Sequence, residues 1–290
     1  MRKKIIFVGL GRMGYPMAGF LSKQFSLYVY NRSNEKTEKW LAEYQGQALK
    51  DIQSIPSNTH AIITCVGNDD DLRTLYLGDH GFAAQATKGC LLIDHTTSSA
   101  NVAQEVNKLA TEKGSLWLDS PVSGGEQGAI NGQLSIMCGG SADAFHKAQP
   151  ILDLYAKSLS HLGDAGAGQL TKMANQIAVA GVIEGLAEAL HFAEQAGLDA
   201  SKVISAISQG AAQSWQMDNR AQSMIDNNYN HGFAVDLMRK DLGICLNEAR
   251  RLKARLPVTA IIDQFYADVQ NMGGNKWDTS SLLMRYKDKG

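Results

Sequence analysis

"FVGLGRMGYPMAGFL", residues 7–21, is the stretch on which the fold turns. Its glycines fall at Gly9, Gly11 and Gly14, a GxGxxG spacing that recurs by chance and so says little alone. The flanks give it a setting. Lys4-Ile5-Ile6-Phe7-Val8 is a short apolar, β-branched run, and Met17, Phe20 and Leu21 follow at helical spacing, so the segment reads strand, tight turn, helix. In that setting Gly9 makes the turn, Gly11 permits close backbone approach, and Gly14 lets helix pack on strand. Pro16 falls in the first helical turn, where a missing N–H costs little. A helix N-terminus built this way presents N–H groups to a pyrophosphate. The other reading is a βα turn that holds no ligand.

Around it lies a chain of 290 residues, 44% apolar and 20% charged, long enough for one large or two ordinary domains. Its 28 basic and 29 acidic side chains leave a formal charge of −1, so no global field favours nucleic acid or an anionic membrane. Cys65, Cys90, Cys138 and Cys245 are scattered, without a CxxC or a His/Cys cluster, and read as buried reduced thiols with no metal site. The chain enters its first strand without a signal-peptide core. No run reaches the roughly 18 uninterrupted apolar residues of a membrane span. A cytoplasmic protein is the simplest expectation.

Apolar runs recur through the first 160 residues at Ile5–Val8, Leu27–Tyr30, Ala61–Val66, Leu91–Ile93, Leu116–Leu118 and Leu134–Cys138. Alternation with helical stretches predicts a mostly parallel sheet covered by helices on both faces. Beyond Pro150 the pattern changes: helical spacing runs from Leu170 to Ala193 with a stop at Gly197, and further helices are predicted at Val203–Ser208, Met238–Leu252 and Val258–Met272. The expected organisation is an α/β Rossmann domain over 1–163, then an all-helical domain over 164–290. Glycine-rich HLGDAGAG (His161–Gly168) is the natural boundary.

Several stretches could carry chemistry. The second strand ends Tyr30-Asn31-Arg32-Ser33, where an acidic residue would take the ribose 2′-hydroxyl of NAD. A guanidinium beside a hydroxyl, with Lys36 one helical turn on, suits the 2′-phosphate of NADP better; an exposed surface arginine is the alternative. Next, "IDHTTSSAN" (Ile93–Asn101) places hydroxyls near the carboxyl end of a strand, though an ordinary helix cap fits it too. In "DSPVSGGEQGAINGQLSIMCGG" (Asp119–Gly140), Ser123-Gly124-Gly125 offers a hydroxyl and unobstructed N–H groups for a small carboxylate. A glycine-rich hairpin connection is the bland reading of the same residues. Last, "QLTKMANQ" sets Lys172, Asn175 and Gln176 at i, i+3 and i+4. A carbonyl reduction needs a proton donor at oxygen, and Lys172 is the candidate, against an ordinary solvated lysine. Further on, Arg239, Lys240 and Asp241 form either a site or a surface ion pair. Trp215, Gln216, Asn219 and Phe233 wall either a pocket or a core.

Together these segments resemble the β-hydroxyacid dehydrogenase family, which includes 3-hydroxyisobutyrate dehydrogenase and the tartronate and glyoxylate/succinic semialdehyde reductases. GLGRMGYPMA (Gly9–Ala18), DSPVSGGEQGAING (Asp119–Gly132), KMANQ (Lys172–Gln176) and KDLGICLNEA (Lys240–Ala249) occur in that family's order and spacing, across nearly the whole chain. The resemblance implies that Gly9, Leu10, Gly11, Arg12, Met13 and Gly14 hold the pyrophosphate, with Asn31, Arg32, Ser33 and Lys36 at the 2′-position. It puts Val66, Gly67 and Thr97 along the nucleoside path. Ser123, Gly124 and Gly125 take the substrate carboxylate, Lys172 is the general acid or base, and Asn175 orients the substrate. Lys240 reaches cofactor or substrate, and Phe233 and Asp241 border the substrate.

Two departures stand out: the family's KxxNN is KxxNQ here, and VGNDDD follows Cys65 where relatives often carry LP. Imine reductases share the fold but replace the lysine. The chain is also short for the duplicated helical domain of many 6-phosphogluconate dehydrogenases. The expected function is an NADP-preferring oxidoreductase, with NAD less favoured, that interconverts a short β- or γ-hydroxyacid and its semialdehyde as a homodimer or homotetramer. The rival is a catalytically silent NADP-binding scaffold of the same fold.

Overall fold

A computed structural model describes residues 2–53 and 55–287. Residues 1 and 288–290, the outer ends of the two expected domains, lie outside the described residues. By contacts the chain divides into two compact units, Met1–Lys172 and Met173–Gly290.

The first unit runs β1 (Lys4–Val8), α1 (Gly14–Ser22), β2 (Ser26–Tyr30), α2 (Asn34–Glu43), β3 (Gln47–Ala48), β4 (Thr59–Thr64), α3 (Asp69–Tyr76), α4 (Phe82–Gln85), β5 (Leu91–Asp94) and α5 (Ala100–Glu112). It continues with β6 (Leu116–Asp119), β7 (Val122–Ser123), α6 (Gly125–Ile130), β8 (Leu134–Gly140), α7 (Ala142–Leu152), β9 (Ala156–His161) and the start of α8 (Ala167–Gln195). Strand order is β3-β2-β1-β4-β5-β6-β8-β7, with β9 added on β8. From β3 to β6 every pairing is parallel, the arrangement of a Rossmann sheet. The chain reverses its direction of travel across the sheet between β1 and β4, so the loops after these two strands flank the point where such sheets bind ligands.

Period-2 alternation explains both faces. Ile5 and Phe7 of β1 pack with Met17, Leu21 and Trp40 beneath α1 and α2, while Ile6 and Val8 pack with Leu72, Tyr76 and Val106 beneath α3 and α5. Every predicted strand forms. The structure adds β3, β7 and β9, which carry little or no alternating apolar signal.

The second unit is helical: α8 from Met173 onward, α9 (Ala200–Ile207), α10 (Trp215–Ile225), α11 (Val235–Leu252), α12 (Pro257–Asn271), a 3₁₀ turn (Thr279–Leu283) and α13 (Met284–Lys287). Its core gathers Ile183 and Leu190 of α8, Met224 of α10, Leu242 of α11 and Tyr266 of α12. Gly197, at φ +70°, follows the end of α8, as its left-handed backbone favours. Helix α10 is an addition to the reading from sequence. Cysteines Cys90, Cys138 and Cys245 are buried thiols, whereas Cys65 is only half-buried, because it lies in the loop just past β4.

Candidate functional site

The glycine loop departs from β1 through Gly9, whose φ of +99° favours glycine and whose N–H donates to the Tyr30 carbonyl at 2.9 Å. A side chain on Gly9 would strike the Cys65 carbonyl just past β4; one on Gly14 would strike the Gly9 carbonyl and press on Phe7. Gly11 is different: a Cβ there meets no protein atom within 4 Å. Sterics within the protein account for the first and last glycines but not the middle one. The open space beside Gly11, at the N-terminus of α1, fits the pyrophosphate of a dinucleotide.

Asn31 faces inward. Its Oδ1 accepts from the Leu10 N–H at 3.0 Å and its Nδ2 donates to the Ser33 carbonyl at 3.2 Å, so the carboxamide braces the loop. Arg32 is 92% exposed and its guanidinium lies 3.9 Å from Asp71, a carboxylate that also accepts from the Gly67 N–H at 3.0 Å. Leu10, Gly11, Arg12 and Lys36 line a cleft of about 560 Å³ that also meets Tyr15, Phe20, Tyr44 and Glu126. Arg12 lies 3.7 Å from Glu126, which sets the glycine loop beside the Ser123-Gly124-Gly125 segment.

That segment is not a plain hairpin. Ser123 ends β7, Gly124 adopts φ +131°, and Gly125 (φ +64°) opens α6, so the chain turns from strand into a short helix before β8. No protein atom lies within 4 Å of a Cβ placed on Gly125. The hydroxyl and the backbone amides around it suit an anion held without a basic side chain.

Two acids that close their strands organise the rest of this unit. Asp94, at the end of β5, accepts on Oδ1 from the hydroxyls of Thr64 (2.6 Å) and Thr96 (2.7 Å), and Thr96 Oγ1 in turn accepts from the Val66 N–H at 2.9 Å. Burial pushes the Asp94 carboxyl up to about 7, and its Oδ2 has no hydrogen-bond partner. Asp119, at the end of β6, accepts from the N–H groups of Gly166 (2.8 Å) and Gln169 (3.0 Å) at the start of α8. Burial raises it to about 6 despite those bonds.

Gln169 clamps the same region: its Oε1 accepts from Ser98 N–H at 3.0 Å and its Nε2 donates to the Thr96 carbonyl at 2.8 Å. Thr97 sits in the loop so held. Lys172, one turn further along α8, is 7% exposed, which is unlike a solvated surface lysine. Beside Asp94, His95 has Nδ1 2.7 Å from the Ser120 carbonyl and Nε2 2.9 Å from the Tyr155 hydroxyl. Burial lowers it to about 4 and keeps the ring neutral, with Nδ1–H donating and Nε2 accepting.

In the second unit, Asn175 and Gln176 follow on α8, with Gln176 buried. Asn175 Nδ2 donates to Gln176 Oε1 at 2.8 Å, and Gln176 Nε2 donates to Asp241 Oδ2 at 2.7 Å. Lys240 lies 3.1 Å from the other oxygen of the buried Asp241. Phe233 donates its N–H to Asp278 at 2.8 Å, and Asp278 also pairs with Arg220 at 3.2 Å. Trp215 opens α10 and is 51% exposed, so it is not core; Asn219 returns its Nδ2 to the Trp215 carbonyl at 2.9 Å. Arg239 pairs with Asp263 at 3.1 Å, the structural reading of that basic cluster. Sequence reasoning missed Asp94, His95, Asp119 and Gln169 as organisers. An acid closing an apolar strand run was the available signal for two of them.

Residues 4–163 match the NAD binding domain of 6-phosphogluconate dehydrogenase, and residues 166–286 match the NAD-binding domain of NADP-dependent 3-hydroxyisobutyrate dehydrogenase. An uncharacterized oxidoreductase of Shewanella frigidimarina is 52% identical over 97% of both chains. The 2-hydroxy-3-oxopropionate reductase of Escherichia coli is 33% identical over 97% of this chain and 96% of its own. Among solved structures, a Mycobacterium tuberculosis 3-hydroxyisobutyrate dehydrogenase with L-serine superimposes with a TM-score of 0.89 at 29% identity, covering 98% of this chain and 99% of that one.

Proposed function

This chain belongs to the β-hydroxyacid dehydrogenase family, and from that premise we propose an NADP-preferring enzyme that interconverts a short β- or γ-hydroxyacid and its semialdehyde. The observation that carries the reading is Lys172: a lysine side chain withdrawn from solvent on α8, in a helical start fastened by Asp119 and by the Gln169 clamp.

A bound nicotinamide supplies or accepts the hydride at the substrate carbon. The residues do the rest. Ser123, Gly124 and Gly125 hold the substrate carboxylate through a hydroxyl and backbone amides. Lys172 gives a proton to the carbonyl oxygen in reduction and takes it back in oxidation. Asn175 orients the substrate, Phe233 and Asp241 border it, and Lys240 reaches cofactor or substrate. Gly9 to Gly14 hold the pyrophosphate, Val66, Gly67 and Thr97 follow the nucleoside, and Arg32, Ser33 and Lys36 face the 2′-phosphate with Asn31 bracing the loop.

In this reading residues 1–163 bind the cofactor and 164–290 serve substrate and self-association. Val182 and Phe192 of α8 and Val258 and Ile261 of α12 are exposed apolar side chains that fit a homodimer or homotetramer. Four cysteines outside any disulfide suit a reducing cytoplasm. Among the described residues α8 alone is long and apolar enough to cross a membrane, yet Ala180, Ile183, Ala187 and Leu190 are buried in the core of its unit.

Lys172→Ala tests the assignment. NADPH binding stays near wild type while turnover falls by roughly 10²–10⁴, the scale of a lost acid/base group. Undiminished turnover would remove Lys172 from the mechanism.

A further inference from the structure

We propose that Gln176 is a positioning residue that transmits the charge of Asp241 to Asn175 and so fixes which end of the Asn175 carboxamide faces away from it, toward substrate. The substrate part of this inference rests on the hydroxyacid dehydrogenase reading; the relay itself does not.

The polarity follows from donor and acceptor chemistry. A carboxylate only accepts, so the buried Asp241 Oδ2 requires the NH₂ end of Gln176, which lies 2.7 Å from it. Gln176 must then turn its Oε1 to Asn175, and an oxygen can be met only by the NH₂ end of that second amide, 2.8 Å away. Two amides that could otherwise flip are set in one sense by a single charge. Lys240, 3.1 Å from Asp241, balances that charge from the other side. Within the relay the Asn175 carbonyl oxygen points away from Gln176, the orientation of an acceptor for a substrate hydroxyl. Packing alone does not require a glutamine here: Gln176 is 3% exposed, and burying an amide is favourable only when both ends are matched.

The length of the side chain is part of the device. Asparagine, the residue that the KxxNN pattern carries, is one methylene shorter, by ~1.5 Å. A 2.7 Å bond to Asp241 stretched by that much is no longer a hydrogen bond. In this chain the glutamine is matched to the Asp241 position.

The test has two arms on the full-length protein. In the first, Asn and Gln side-chain amides are labelled with ¹⁵N, and the Asn175 and Gln176 signals are identified by their loss in Asn175→Asp and Gln176→Glu. Asp241→Asn shifts the Asn175 amide signal when Gln176 is present, and the shift vanishes when Gln176→Ala or Gln176→Asn is added. Two glutamine variants guard against one that fails to fold. A shift that persists in both, or no shift at all, overturns the relay. In the second arm, with whichever semialdehyde the wild type reduces, Gln176→Asn raises KM roughly tenfold and leaves NADPH affinity unchanged. Gln176→Ala adds nothing further once Asn175→Ala is present. Additive effects mean that Gln176 does not act through Asn175. A wild type that reduces no semialdehyde refutes the functional reading, and the first arm still decides the relay.

Discussion

The proposed cofactor preference rests on the residues that follow β2. Arg32 is solvent-exposed, where its fork of donors can meet a phosphate, and Arg32→Asp should shift preference from NADPH to NADH. NADPH preference that survives the exchange would remove the basis for the assignment. Asp71 adds a prediction that spacing alone does not supply. Its carboxylate sits 3.9 Å from Arg32 and accepts from Gly67, so it weighs against a second anion at that arginine. Asp71→Asn keeps an oxygen for the Gly67 amide and removes the charge. Fluorescence titration should then show NADPH binding tightened about threefold, with NADH unchanged; screening makes the effect modest. Equal changes for both cofactors would separate Asp71 from the 2′-position. That Asn31 and Arg32 follow the second strand was legible from its apolar run. The inward rotation of Asn31 was not, because spacing counts residues and does not choose a rotamer.

At the level of elements, the start of α8 is held by side chains rather than by propensity. Gln169→Leu removes both of its bonds and leaves the Ser98 N–H and the Thr96 carbonyl buried without those partners. Each such loss costs about 1–3 kcal/mol, so a fall of roughly 2–6 kcal/mol in unfolding free energy is expected in denaturant melts. A loss under about 0.5 kcal/mol would show that the clamp is replaceable. What the sequence made readable follows the strength of its periodicity. The buried strands β1, β4 and β5 were plain, as were α8, α11 and α12, whose ends moved by only a few residues. The edge strand β9, AKSLSH, has no fully buried position and therefore no period-2 signal to read. Helix α10 buries Met217, Ala221 and Met224 at helical spacing, but polar residues between them masked the stripe. Ser123-Gly124-Gly125 could be read as anion-binding amides; the turn into α6 depended on positive φ values that glycine merely permits.

Across the whole molecule, buried titratable groups give stability a pH dependence with a definite sign. Asp94 rises to about 7 and Asp119 to about 6, so the folded state holds protons that the unfolded state has released. Their contribution is present at low pH and is lost as pH climbs through those values. His95, lowered to about 4 from 6.5, works oppositely and costs stability as pH falls below 6.5. From about pH 6.5 to ~8 the Asp94 contribution is the largest of these three and outweighs the opposing one from His95. Wild-type Tm should decline there, and Asp94→Asn should flatten the decline; equal slopes would mean that Asp94 is not the group that titrates. The proposed nicotinamide chemistry, with Lys172 buried near the start of α8, makes one measurement decisive. NADPH oxidation is followed with glyoxylate and with succinic, methylmalonate and tartronate semialdehydes in turn. The account predicts saturable, Lys172-dependent turnover with at least one of them, whereas saturable NADPH binding without oxidation by any would contradict it and leave a silent cofactor-binding protein.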